Sequence, residues 1–298
     1  MAKKTGLPFR RRCIQLAAAV IYNANIKGFR DATIYQGKLK GMCVPGLNCY
    51  SCPGASFSCP LGTLQNALSS IKYRIPMYIF GIFILFGLLL GRIICGFLCP
   101  FGLLQELLHK IPLPKIKKGR ITRCLSWLKY IILIVFVIYI PLYIGVSKGM
   151  PVPAFCKYIC PAGTLEGGLP LVAGNKSLQA LIGRLFSWKV LLLILILFSA
   201  IVLYRSFCRF LCPLGAIYSL FSKISIMGIK VDEGKCTACN ACIHHCKMDI
   251  KRVGDRECIQ CGECRDVCPT GAISFKNLKK KERNCDEEAK KNCCFYDV

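Results

Sequence analysis

The chain alternates long apolar runs with short segments dense in cysteine, proline and basic residues, and four apolar runs stand out. Residues 13–26 are apolar but short, and they hold Asn23 and Asn25. Residues 75–94 carry one charge, Arg92, near their end, where its stem can lie in lipid while the guanidinium reaches water. Residues 130–147 are uncharged with Pro141 inside, and residues 185–204 are interrupted only by Lys189. A bilayer core of about 30 Å needs about 20 helical residues to cross it, and the last three runs approach or reach that length. Three such runs in one chain argue against the buried helices of a soluble core. The pattern therefore predicts an α-helical multi-pass membrane domain of about four spans, the first of them weak or a half-buried helix. After residue 230 no long apolar run recurs, so a small separate domain is expected there.

Composition agrees with this division. At 54% hydrophobic residues and a mean hydropathy of +0.47, the 298-residue chain is too apolar for an ordinary soluble fold. A formal charge of +26 invites a nucleic-acid partner, but the basic residues flank the apolar runs and no nucleic-acid motif is present. Their distribution predicts orientation instead. The loop after the second run holds Lys110, Lys115, Lys117, Lys118, Arg120 and Arg123 and is expected in the cytoplasm, whereas the sparser loop with Lys148, Lys157, Lys176 and Arg184 is expected outside. Everything after the fourth run then lies on the cytoplasmic side.

Twenty-three cysteines in so long a chain are not a small secreted disulfide scaffold. From Cys236 to Pro269 the spacing C-x2-C-x2-C-x3-C occurs twice. Three thiolates two residues apart can hold one corner of an iron-sulfur cube while the fourth reaches the partner cube. On that rule Cys236, Cys239, Cys242 and Cys268 hold one 4Fe-4S cluster, and Cys258, Cys261, Cys264 and Cys246 hold the other. A zinc ribbon is the competing reading, but it pairs two short knuckles rather than two runs of four. Residues 231–276 resemble the bacterial two-cluster ferredoxin, which implies a small α+β domain, and Lys247 stands where that family usually has proline. The charge rule and the need for reduced thiolates agree in placing this domain in the cytosol.

A second cysteine pattern sits at the ends of the apolar runs. C-G-F-L-C-P-F-G at Cys95 and Cys99 and C-R-F-L-C-P-L-G at Cys208 and Cys212 follow the second and fourth runs. S-C-P-L-G at Cys59 and C-K-Y-I-C-P-A-G at Cys156 and Cys160 precede them on the opposite face. The 75–230 region thus reads as an internal duplication with Cys-Pro knuckles. C-x3-C places two thiols one helical turn apart, so two knuckles can supply four thiolates. Cys95, Cys99, Cys208 and Cys212 are expected to hold a further 4Fe-4S cluster at the cytoplasmic face. On the outer face Cys59, Cys156 and Cys160 align, but Ala55 occupies the fourth position and Cys52 or Cys49 must stand in. The set Cys52, Cys59, Cys156 and Cys160 is the expectation for a second membrane cluster, with disulfides as the alternative on that face.

Spans that end in C-x3-C-P, followed by a two-cluster ferredoxin, resemble the NapH and NosR group of membrane polyferredoxins over residues 75–276. That resemblance implies a prokaryotic cytoplasmic membrane, a quinone as a candidate cofactor, and quinol-linked electron delivery to redox partners such as an extracytoplasmic reductase or flavoprotein. Cys43, Cys49 and the other outer cysteines depart from the simplest NapH pattern, and no flavin-binding domain of the NosR kind is present. The expected role is that of an electron-transfer component rather than a stand-alone catalyst. A transmembrane thiol-disulfide conduit is the first alternative, and an iron-sulfur redox sensor or reductase assembly factor the second. His109, His244 and His245 all lie outside the runs, which argues against a haem held between spans. The remaining segments are 1–74, a basic start with the weak first run and the outer cysteine-rich loop, and 277–298, a mixed-charge tail expected to be disordered or loosely helical.

Overall fold

The apolar runs form helices whose ends are set by proline and glycine. The computed structural model describes residues 6–70, 77–116 and 118–276. Residues 75 and 76 of the second predicted span, Lys117, and the tail with Cys285, Cys293 and Cys294 lie outside the described residues. Among the described residues two helices, Arg120–Lys148 with 29 residues and Arg184–Val202 with 19, are long and apolar enough to cross a membrane. The sequence led us to expect about four.

The second run yields only the 13-residue helix Met77–Leu89 among the described residues. It ends before Gly91, whose φ of +50° is the left-handed region that glycine tolerates, and a Cβ there would meet Ser225 Cβ at 2.9 Å. That turn carries Arg92 inward, so the expectation that it snorkels to the interface is wrong: Arg92 is fully buried. The first run yields the 16-residue helix Leu7–Tyr22, which starts earlier than predicted. It turns Arg11, Gln15, Ala18 and Tyr22 inward and leaves Phe9, Leu16, Val20 and Ile21 exposed. This inverts the usual amphipathic order of a soluble helix.

Pro141 is accommodated inside the Arg120–Lys148 helix because the Leu133–Tyr139 stretch before it widens into π-helical turns, which relieve the clash of the proline ring with the preceding turn. The following turn packs against the Pro60–Ser69 helix. A Cβ on Gly145 would lie 2.3 Å from Ser69 O, so only glycine allows this approach.

The small C-terminal domain closes with an antiparallel strand pair, Ile229–Val231 with Ile273–Phe275, in the register Ile229 to Phe275 and Val231 to Ile273. Carboxylates dock it on the helical part. Glu257 accepts from Lys129 Nζ at 2.6 Å and from Arg92 at 3.3 Å, and both cations are buried. Asp249 pairs with Arg209, and Glu263 with Arg11. Lys118 donates to the carbonyls of Ile243 and Cys246 at 2.7 and 2.6 Å. Lys118, read from the sequence as an orientation marker, thus also grips the cluster-binding domain.

Candidate metal centres

The two ferredoxin motifs fold into loops with matching backbone signs. Ala238 and Gln260, each two residues after the first cysteine of its motif, have φ of 53° and 54°, and Asn240 and Gly262 follow with 55° and 81°. Left-handed residues at these positions roll successive N–H groups toward one side, as anionic sites require. Cys236, Cys239, Cys242 and Cys268 line one cavity, and Cys246, Cys258, Cys261 and Cys264 line another. Cys236 and Cys239 are exposed, whereas Cys258 is buried. The second cavity faces the helical part: a Cβ on Gly96 would lie 2.5 Å from Ile259 O and 3.9 Å from Cys261 Cα.

Proline explains the geometry of the knuckles. Cys59, Cys99 and Cys212 are helix N-caps with proline at the first helical position, and their ψ values of 127°, 113° and 109° are those a residue before proline must adopt. C-x3-C therefore does not lie on one continuous helix as expected. The first thiol sits on the end of one helical segment and the second caps the next. The glycine three residues after each second cysteine gives its N–H to the sulfur, at 3.4 Å from Gly163 to Cys160 and from Gly215 to Cys212. Each such sulfur thus rests on the positive end of a helix.

Cys95, Cys99, Cys208 and Cys212 are all buried and act on one another electrostatically. Burial, then the Cys208 and Cys95 thiols, push Cys99 up to about 12. On the other side the structure gathers Cys49, Cys59, Cys156 and Cys160 around a cavity of about 390 Å³. Burial, then Cys59 and Cys49, push Cys156 up to about 12. Cys52 is not part of this cavity; its thiol lies 3.6 Å from Asn23 Oδ1. Cys43 bonds Thr63 Oγ1 at 3.4 Å.

These donor sets fit a multi-iron group. Buried thiols such as Cys99 and Cys156 resist ionisation until a cation joins them, and thiolate is the ligand that iron-sulfur cubes require. Among the described residues no three Cys, His, Asp or Glu side chains converge on a single-ion site, whereas three of the four quartets line cavities. Asn48 is fully buried in the outer cavity wall with both amide atoms unpartnered, a polar group that a bound cube would face. Beside the inner quartet lie two buried arginines, Arg92 and Arg205, each three residues before the first cysteine of its knuckle. Arg205 is paired with Glu106, which also holds Arg11 and the Tyr204 hydroxyl. Two guanidinium groups offset the negative charge that four thiolates bring to a cube.

The residue six places after each Cys-Pro cysteine ties the two halves together. Gln105 donates to Cys208 Sγ at 3.1 Å and accepts from Phe207 N at 3.0 Å. Gln65 repeats this toward Cys156 Sγ at 3.3 Å and Phe155 N at 2.9 Å. Neither glutamine nor Arg205 stood out in the sequence, and Arg92 read there as an interfacial residue, although the constant offset of all four from the cysteines was the signal. Gln105→Leu would leave the Phe207 N–H buried and unpaired, so we expect a loss of about 1–3 kcal/mol, read from the denaturant midpoint. An unchanged midpoint would mean that this clasp is dispensable.

His244 and His245 are exposed in the first cluster loop. His109 is half-buried rather than solvated, its Nδ1 3.1 Å from Ile201 O and its ring edge-on to Tyr204.

Comparison with known proteins is consistent with these sites. The 4Fe-4S binding domain family matches residues 73–120, 127–174 and 184–231, and a further 4Fe-4S binding domain family matches 253–274. The repeated family match supports an internal repeat in the helical part. The chain is 32% identical to the uncharacterized protein MJ0749 of Methanocaldococcus jannaschii, over 66% of this chain and 71% of that protein. It is 27% identical to the ferredoxin-type protein NapH of Haemophilus influenzae, over 65% and 66%, and 26% identical to the methylamine utilization ferredoxin-type protein MauN of Paracoccus denitrificans, over 79% and 74%. No solved structure matches the chain.

Proposed function

The chain belongs to the NapH-like polyferredoxins, iron-sulfur electron-transfer proteins with repeated 4Fe-4S binding domains, and from that premise we propose that it holds four cubes in series across a membrane. The observation that carries this reading is the gathering of cysteines into four separate quartets. When bound, the cubes supply one-electron chemistry, while the chain sets their spacing, burial and charge. The order runs from the surface quartet with Cys236 and Cys239, through the quartet of Cys258 and Cys261, to the inner quartet and then the outer one. A soluble redox partner reaches the first. The outer cavity, lined also by Lys40 and Lys189, serves the extracytoplasmic partner, and a quinol is the candidate donor within the membrane.

Lipid is the environment that the exposed surface supports. Only 28% and 17% of the apolar windows of the Arg120–Lys148 and Arg184–Val202 helices are buried, whereas a soluble core helix is mostly buried. Ile131, Ile134, Ile138, Leu191, Ile194, Leu195 and Phe198 point outward, and Trp127 and Trp188 near the helix starts suit the headgroup level. The basic loop around Lys118 and the cluster domain it grips then lie in the cytoplasm.

Iron and sulfide analysis of anaerobically purified protein tests the reading. About sixteen irons per chain are expected, four per quartet, and about eight would mean that the ferredoxin domain alone is loaded. A metal-free chain whose activity thiol alkylation blocks would establish the thiol-disulfide conduit instead.

A further inference from the structure

One short stretch of chain reaches both quartets of the helical part. Gly46 packs so tightly against the Cys99 knuckle that a Cβ would meet Leu98 O at 3.0 Å and Cys99 Cα at 3.4 Å. The next residue, Leu47, turns its N–H toward the Cys99 sulfur, and Asn48 turns its N–H toward the Cys59 sulfur as both line the outer cavity. Cys49 then contributes its own thiol to the outer cavity. Leu47 and Asn48 are 2% and 0% exposed, so water does not serve these N–H groups. Three consecutive residues thus touch the inner quartet, touch the outer quartet and join it.

The stretch is clamped at both ends, and the clamps come from the Cys-Pro helices themselves. The Tyr218 hydroxyl, six residues after Cys212, donates to Pro45 O at 3.0 Å. Glu166, six residues after Cys160, accepts from Cys49 N at 3.0 Å. These two side chains occupy the positions that Gln105 and Gln65 hold in the partner knuckles. Tyr218 is fully buried and lies beside Cys95, Cys99 and Cys59, between the two sites.

We propose that Pro45–Cys49 is the coupling segment of the helical part: packed against the Cys99 knuckle and clamped at both ends, it sets the separation of the inner and outer quartets and turns a backbone N–H toward a sulfur on each side. Its residues, with Tyr218 and Glu166, are positioning residues. The proposal rests on the reading that both quartets carry iron-sulfur cubes. An N–H directed at a ligand sulfur favours the more negative, reduced state of such a site, so displacing the segment lowers the potential of both sites together.

Tyr218→Phe keeps the ring and removes only the clamp on Pro45, while Gly46→Ala pushes the segment away from Cys99. Each full-length variant, purified without oxygen, would be analysed for iron and titrated under EPR, with the inner and outer signals assigned by their loss in Cys95→Ser and Cys156→Ser proteins. Tyr218→Phe should keep its full iron and move the inner and outer midpoint potentials to lower values, leaving both ferredoxin sites unmoved. Gly46→Ala should move the inner site further than the outer. Should a variant lose iron, joint loss from both quartets with about eight irons retained supports the coupling, and loss from one alone overturns it. Full iron with either potential unmoved in Tyr218→Phe also overturns the proposal while leaving the proposed function intact. Native protein with only about eight irons would instead overturn the function reading, and this inference with it.

Discussion

Cys49→Ser should lower the iron content from about sixteen to about twelve per chain, while Cys52→Ser leaves it unchanged. The two cysteines are three residues apart in a loop, and spacing alone does not choose between them. The structure does. Cys49 lines the outer cavity with Cys59, Cys156 and Cys160, and its backbone N–H is held by Glu166 at 3.0 Å. Cys52 turns its thiol toward Asn23 on the other side of the loop. Serine is a poor substitute for thiolate on iron, so one exchanged ligand should strip the cube or leave it labile. Iron, sulfide and the EPR signal of the outer site would be compared in both variants. Retained outer iron in Cys49→Ser together with lost iron in Cys52→Ser would sink the assignment.

The second large effect is expected at Glu257. Its carboxylate is 14% exposed and pairs with two cations that are fully buried, Lys129 and Arg92. Glu257→Gln leaves Lys129 without its carboxylate and takes from Arg92 one of its negative neighbours, the Cys95 thiol being the other. Breaking a buried pair costs about 3–5 kcal/mol, and the ammonium must then find water or give up its proton. The partner residues sit on the long helix and at the Gly91 turn, while Glu257 sits in the ferredoxin domain one residue before Cys258. We therefore expect the domain to release from the helical part, with a large fall in unfolding midpoint and new protease sensitivity between residues 221 and 229. The Cys236, Cys239, Cys242 and Cys268 site, remote from this contact, should keep its spectrum. A variant as stable and as protease-resistant as the native chain would show that the carboxylate is not what holds the domain.

Local rules made the cluster motifs legible, because thiols two or three residues apart must share a loop and the fourth cysteine must look elsewhere. The same locality explains what was missed. Arg92 sits at the end of an apolar run, where snorkelling is the ordinary solution, and groups far along the chain make its burial tolerable: the Arg256 carbonyl at 2.9 Å and the Glu257 carboxylate at 3.3 Å. Gln65 and Gln105 look like polar residues on short helices until the opposite knuckle is packed against them. The first run is short and holds Asn23 and Asn25, but its helix starts earlier and stops before them, and its inward face is partly polar: Arg11 meets Glu106 and Glu263.

Periodicity, run length and cysteine spacing were enough to establish an apolar helical protein with a small cluster-binding domain and repeated Cys-Pro knuckles, because each of those features is decided by residues close together along the chain. Which thiols line the outer cavity, where the buried cations find their carboxylates and which backbone N–H groups turn toward each sulfur were decided by packing alone. Those outcomes depend on groups from distant segments meeting at a few ångströms, and burial makes an unmatched charge or donor too costly to keep.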